Sequence, residues 1–515
     1  MIVDISGGTK EHIVKPYLLG VDCGGTYIKA AVFDHTGKQL SLVKKRNECL
    51  TPGIGMAEYD QDTLWKLACA CIRNAIVRAN VSPDAIACVG ISGQGCGVYA
   101  VDAKGGNIRN AISSSDQRAA AYAQRWKEDG TSASVMEQTF RAPTAGHPVT
   151  ILAWLKDHEP ENYYKISRVF AMKDLLIYRL TGNAVAGMGC QSASCLMDVN
   201  TGRFLPSLAQ TFGVQEMDGK FGETKWDVEI CGQITSEAAM ACGCAAGTPV
   251  CGGCHDVVAS IIAMGIEDSQ PCFVITGTHA INGYLSEHPV LSEKVTSTEL
   301  FAVPGSYLIE ESYPASSGVL EWVIDALYED SDRPRSEIYG EVSGLVEDVA
   351  PESCDLVFLP YLRGRRDNIA TRAAWIGLMP SHTRAHMLRA TYEAVAFTHM
   401  WHLENLFCTR SVPETIRMAG GATNSSVWSQ MFADVIGIPM EVVPKEELGS
   451  KGAAIVAAVA IGIYPDLKSA IEHMASRRVL VRPRLDANEV YKRKYERFKA
   501  IVKETDSLWP YFREF

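Results

Sequence analysis

Four short stretches of this 515-residue chain carry side chains suited to chemistry on phosphate. The first is Asp22-Cys23-Gly24-Gly25-Thr26. Paired glycines let backbone amides face an anion, and Thr26 adds a hydroxyl donor. Asp22 closes an apolar run, where a carboxylate needs a partner; beside phosphate it could hold Mg2+ directly or through water. The second stretch, Thr276-Gly277-Thr278, repeats the same donor types about 250 residues later. The third is Asp256, which follows Cys251-Gly252-Gly253-Cys254-His255 and opens an apolar segment. Such a carboxylate either caps the helix that begins there or accepts the proton of an attacking hydroxyl during phosphoryl transfer. The fourth is Ala419-Gly420-Gly421-Ala422-Thr423-Asn424, where glycines at a strand-to-helix turn let a flat ring such as a purine approach the backbone.

The elements that must position these residues follow from pattern. Residues 17–34 read as two strands around a glycine turn. The spacing of Leu64, Leu67, Ala68, Cys71 and Ile76 predicts a helix over 60–80, and residues 86–92 then form a short buried strand. Strands and helices alternate to about residue 265, which defines an α/β protein. Residues 271–285 again read as strand, small polar turn, strand. Two halves that each open with such a hairpin suggest a duplicated fold closing on one nucleotide. Lys451-Gly452-Ala453-Ala454 opens a helix of small residues able to pack tightly. No low-complexity linker divides the halves. The short polar junction at 265–268 suits a hinge, giving domains of 1–265 and 266–515.

Bulk properties narrow the function. A chain of this length exceeds what one core supports. With 47% hydrophobic and 21% charged residues and a net charge of −11, it has no electrostatic footprint for nucleic acid or an anionic membrane. The most apolar stretch, 452–465, is too short to span a bilayer, and residues 1–15 lack an apolar targeting core. Sixteen scattered cysteines read as reduced thiols, so a cytoplasmic location is expected. Cys242, Cys244, Cys251 and Cys254 have a zinc-like spacing, but Cys251 and Cys254 fall in a strand and its glycine turn, where cysteine serves as a small hydrophobe. No Walker P-loop, dinucleotide fingerprint or protein-kinase catalytic loop is present.

Ten ordered segments resemble the FGGY carbohydrate kinases over almost the whole chain. They include LLGVDCGGTYIKAAVFD (18–34), ISGQGCG (91–97), NAISSSDQRAA (110–120), GGCHDVV (252–258), ITGTHA (275–280), ASSGVLEW (315–322), FLPYLRGRRD (358–367) and MAGGATNSSVWSQMFADVIGIP (418–439). Within that family, GHPVTILAWLKDHEPENYYKI (146–166) is similar to the L-xylulose kinase branch. The resemblance implies a duplicated actin-like ATPase fold, ribonuclease H-like, with two domains around a nucleotide cleft. It implies ATP and Mg2+ as cofactors and a small ketose or polyol as substrate, a ketopentose such as L-xylulose, with D-xylulose, ribulose or a keto-acid sugar such as 3-keto-L-gulonate as alternatives. Asp256 would be the base, and Asp22 would hold Mg2+, with Asp256 as a second candidate ligand. Gly25, Thr26, Gly277 and Thr278 would meet phosphate, while Gly318, Gly420, Gly421 and Asn424 would line the nucleotide side. Gln94, Cys96 and Asp116 would join Asp256 at the sugar. A homodimer is the expected assembly.

Departures from the pattern bear on the sugar. Gln94-Gly95-Cys96-Gly97 replaces the Gln-Met-His-Gly of xylulose kinases, and Val257 stands where relatives carry a polar residue. Residues 363–366, Arg-Gly-Arg-Arg, replace the usual Glu-Arg continuation and acquire no role from the comparison. A rival reading is a non-catalytic ATP-binding protein of the same fold.

Overall fold

The computed structural model describes residues 16–512, apart from 278, 314, 315, 330, 367, 369 and 445. The first half is built on a six-stranded sheet. Strands β1 (Tyr17–Cys23), β2 (Tyr27–Asp34) and β3 (Gln39–Arg46) form an antiparallel meander. Helix α1 (Gln61–Ala79) follows. Asp60 caps it by accepting from the Thr63 amide at 2.7 Å, and Asn80 ends it in the left-handed region. Strand β4 (Ile86–Gly93) then lies parallel to β1. At the other side of the sheet β5 (Ile230–Gln233) pairs antiparallel with β6 (Pro249–His255), which is parallel to β4. Helix α2 (Asp256–Ala263) leaves directly from β6.

The second half repeats this plan. Strands β7 (Cys272–Thr276), β8 (Ala280–Ser286) and, after an extra edge strand β9 (Ser297–Leu300), β10 (Tyr307–Tyr313) form the meander. Helices α3 (Ser317–Leu327) and α4 (Arg384–Phe407) precede β11 (Ile416–Gly420), which is parallel to β7. Helix α5 (Ser426–Ile436) leads to β12 (Met440–Val442), parallel to β11. After helix α6 (Leu448–Ala460), β13 (Val479–Val481) closes the edge antiparallel to β12. Strand directions in β1-β2-β3-β4-β6 match those in β7-β8-β10-β11-β12, so the duplication expected from two glycine hairpins extends through both sheets.

The halves are locked by small residues. Helix α6 belongs to the second half in sequence, yet it packs on β1, β4 and α2 of the first. Contact there is backbone on backbone. A Cβ at Gly20 would overlap the Ser450 carbonyl, one at Gly90 the Ala453 carbonyl, and one at Gly452 the Ala259 carbonyl. A continuous core containing Leu18, Cys88, Ile262, Phe273 and Ala454 therefore runs across both halves. Among the described residues no helix is long and apolar enough to cross a membrane.

Candidate active site

The geometry of the candidate site starts with a bulge. β6 pairs Cys251 with Gly90 and Cys254 with Ser92, so two residues of β6 oppose one of β4. The extra residues are Gly252, against the Trp226 carbonyl, and Gly253, with φ of 78°. Beneath the bulge Lys173 is fully buried and paired with Asp174 at 2.5 Å. The bulge delivers His255 and then Asp256, the first residue of α2, to the gap between the halves.

That gap holds a cavity of about 360 Å³ whose lining includes Asp22, Lys29, Asp256, Gly420, Asn424 and Glu447. The Asp256 side chain is 40% exposed, and its Oδ1 accepts from the Val257 amide at 2.8 Å. Desolvation raises its pKa above the ordinary aspartate value; His255 pulls it down and Asp22 pushes it up. Asp22 is buried. Its carboxylate meets Lys29 Nζ at 3.1 Å and accepts from Ser92 Oγ at 3.1 Å. Lys29 also reaches Glu447 at 3.1 Å, across the junction between halves. Burial works against the charge on Lys29, but the two carboxylates more than compensate and hold its pKa above the ordinary lysine value.

Two carboxylates opening on one cavity suit Mg2+, which takes one or two protein carboxylates and completes its shell with phosphate oxygens and water. Asp22 and Asp256 have that placement. Lys29 already occupies one side of the Asp22 carboxylate.

A second cavity, of about 640 Å³, adjoins the first through Asn424. Ser317, Tyr339, Tyr392, Gly421 and Trp428 are among its walls, a mix of flat rings and small hydroxyls. Gly420 has φ of 102°, and a Cβ there would strike the Thr276 backbone. Gly421 lies against Ser317. Thr276 is fully buried, and its hydroxyl bridges the Ala419 carbonyl and the Ala422 amide at 3.0 Å each. It welds the two glycine turns together and is not a phosphate donor.

The structure thus brings Asp22, Asp256, Gly420, Gly421 and Asn424 to two cavities that share Asn424 as a wall. Other expected residues stand differently. Gly25 is packed under Tyr59 and Gln94, and Thr26 is exposed at the tip of the β1–β2 turn; neither lines the cavity at Asp256. Gly277 follows β7, Gly318 lies in the first turn of α3, and Thr278 is outside the described residues. Gln94 donates to Ser114 Oγ at 2.8 Å, leaving its Oε1 without a donor among the described residues. Cys96 adopts φ of 58°, and its thiol turns inward toward the Ala193 carbonyl.

Asp116 requires a correction. It is fully buried and accepts from the Ala57 amide at 2.6 Å and from the Arg118 amide and Nε at 2.8 and 2.9 Å. Arg118 continues to Glu58. With its lone pairs occupied and its side chain fully buried, Asp116 anchors its loop and does not line the cavity at Asp256.

Sequence reading missed the network behind Asp256. His255 Nε2 lies 3.3 Å from Asp256, its Nδ1 lies 3.4 Å from Glu299, and Glu299 meets Arg141 at 2.9 Å. Burial would lower the His255 pKa, but Glu299 and Asp256 lift it to about 9. Gly95 leaves room for this ring, because a Cβ there would overlap it. Lys29 was within reach of sequence reasoning: the hairpin register sets it directly opposite Asp22.

A duplicated sheet pair with carboxylates and glycine turns at its junction defines an actin-like phosphotransferase. The chain matches the N-terminal domain of the FGGY family of carbohydrate kinases over residues 17–263 and the C-terminal domain of that family over 272–461. It belongs to this family and is a sugar kinase that uses ATP. The L-xylulose/3-keto-L-gulonate kinase of Escherichia coli K12 is 34% identical over 94% of this chain and 96% of its own length. A probable L-xylulose kinase of Pasteurella multocida is also 34% identical, over 94% of this chain and 98% of that protein. The ligand-bound xylulose kinase structure from Lactobacillus acidophilus shares the fold, with a TM-score of 0.87 over 96% of this chain and 99% of that one at 22% identity.

Proposed function

We propose that this kinase transfers the γ-phosphate of ATP to a hydroxyl of a ketopentose such as L-xylulose, with Asp256 as general base. The observation that carries the reading is the placement of Asp256 at the head of α2, open to a cavity that Asp22, Gly420 and Asn424 share. The names of two 34%-identical relatives support the sugar, and one of those names supplies the runner-up, the keto-acid sugar 3-keto-L-gulonate.

In this reading Asp256 accepts the sugar hydroxyl proton as the oxygen attacks phosphorus. The backbone near Gly420 and Gly421 holds the nucleotide, and the ring-lined cavity takes its base. Mg2+, when bound at Asp22 and Asp256, neutralises phosphate charge. Lys29 holds the Asp22 carboxylate in place when the metal is away. Closure about the 265–268 junction, where Gly265 has φ of 87°, would exclude water and limit ATP hydrolysis. The test is sugar-dependent ADP release across ketopentoses, ketohexoses, polyols and keto-acid sugars. The reading requires the highest kcat/KM on a ketopentose; a clear preference for a polyol or ketohexose overturns it.

A further inference from the structure

The arginine-rich segment at 363–366 borders a cavity that the kinase reaction does not use. It measures about 220 Å³, about seven waters' worth, and lies behind the second sheet. Ile281 of β8 faces the ATP-side cavity, while its neighbour Asn282 faces α4 and the rear. The rear cavity is walled by Glu311, Tyr313, Tyr361, Arg366, Trp401 and His402, among others.

Its polar groups are unbalanced. The buried Glu311 carboxylate already accepts from Thr296 Oγ1 at 2.6 Å, Asn405 Nδ2 at 3.0 Å and Arg366 Nη1 at 3.1 Å. Arg366 is half exposed, and its Nε and Nη2 have no partner among the described residues. His402 is only 7% exposed, and its Nδ1 faces the Asn282 amide nitrogen at 3.0 Å. That amide is fixed, because Asn282 Nδ2 also approaches the Glu311 carbonyl at 3.4 Å while Oδ1 faces His399 Nδ1 at 2.6 Å. His402 Nδ1 is therefore the acceptor, and Nε2 carries the hydrogen. Burial, with the Arg366 charge adding to it, holds the His402 pKa near 3, so the ring is neutral. Nε2–H has no partner among the described residues. The unused groups in the interior of the cavity are donors, one edge of the Arg366 guanidinium, which suits oxyanions, and one imidazole N–H, while at its exposed rim the Lys294 ammonium stands beside the Glu293 carboxylate.

We infer that this cavity is a binding site for a small phosphate-bearing anion, distinct from the ATP and sugar sites, with Arg366 and His402 as its donors. The site is wired to the nucleotide wall. His402 leads through Asn282 to His399, whose Nε2 meets Ser316 Oγ at 2.9 Å. The next residue, Ser317, donates to the Thr276 carbonyl at 2.9 Å and lines the ring-walled cavity. An anion at His402 thus shifts ATP binding.

The experiment is calorimetric titration of the ADP-saturated protein with inorganic phosphate and, separately, ribose 5-phosphate, in wild type and Arg366→Ala. Because Arg366 is also the cation beside buried Glu311, a thermal melt checks that the variant is folded, and Arg366→Gln, which keeps a donor for Glu311, is titrated in parallel with the same expectation. One saturable site in wild type that weakens at least tenfold in the variant is the expected result. Tighter binding of ribose 5-phosphate assigns the site to a phosphorylated metabolite, and tighter binding of inorganic phosphate assigns it to the free anion. Absence of saturable binding by either probe, or equal binding in both proteins, overturns the site. At saturating probe the KM for ATP changes at least twofold in wild type and not in Arg366→Ala; an unchanged KM overturns the link to the nucleotide.

Discussion

His255, at the end of the last parallel strand of the first half, pairs through Nδ1 with Glu299 of the second half at 3.4 Å, while its Nε2 lies 3.3 Å from Asp256. The proposed base is therefore oriented by a residue from the opposite sheet. Strand β9, which has no counterpart in the first half, supplies that residue. It docks across the junction, with the Leu300 amide donating to Ser192 at 3.0 Å. Glu299→Gln should lower kcat roughly 10- to 100-fold and leave the KM for ATP within about twofold. Steady-state kinetics over both substrates check this, and Glu299→Asp should restore part of the loss. A rise in KM for ATP with kcat intact would show that the pair only holds the halves together.

The same pair predicts a pH signature in stability. The folded pKa of His255, about 9, lies above its ordinary 6.5. Its contribution is fully present below pH 6.5 and is lost as pH rises through about 9. The melting temperature of wild type should therefore fall more between pH 6.5 and 9.5 than that of Glu299→Gln. Parallel curves would show that His255 does not bind an extra proton in the folded state.

Replacing Asp256 by Asn should cut phosphoryl transfer by about 10²–10⁴ while ADP affinity stays within about twofold, read by coupled assay and calorimetry. Near-normal turnover would remove Asp256 from the role of base.

Lys29→Met should leave Asp22 and Glu447 without their cation. The concentration of Mg2+ giving half-maximal activity should fall several-fold, because the metal no longer competes with an ammonium. The cost appears in chemical denaturation as a loss of about 3 kcal/mol, since buried carboxylates lose their partner. An unchanged Mg2+ dependence would separate Asp22 from the metal.

Asp116→Asn tests the reassignment of that residue. Breaking its buried pair with Arg118 should destabilise the fold by about 3–5 kcal/mol, and the protein that remains folded should keep its KM for sugar within about twofold. A selective rise in sugar KM with normal stability would return Asp116 to the substrate.

The fold was legible because its signals are local. Asp-x-Gly-Gly-Thr between two apolar runs dictates a hairpin, helix α1 shows its spacing and both caps, and the small residues of α6 announce a tight contact. Asp22, Asp256, Gly420, Gly421 and Asn424 could be named for the same reason, since each sits at a strand end or glycine turn that pattern reveals. Lys29 was equally available, as the residue opposite Asp22 in that hairpin. What residues do at the end of a long-range contact was not legible. The sequence around Asp116 does not announce that Arg118 and Ala57 occupy its lone pairs, nor the sequence around Cys96 that the thiol turns inward toward the Ala193 carbonyl. Nothing near residue 299 announces a partner for His255, and nothing near 366 announces a cavity shared with His402. The sequence by itself determined the class of chemistry and the turns that perform it, because backbone conformation follows from neighbouring residues. Only the tertiary structure decided which carboxylates are spent on structure and which open on the cleft, because that depends on donors that the fold brings in from other elements, such as the Ala57 amide at Asp116.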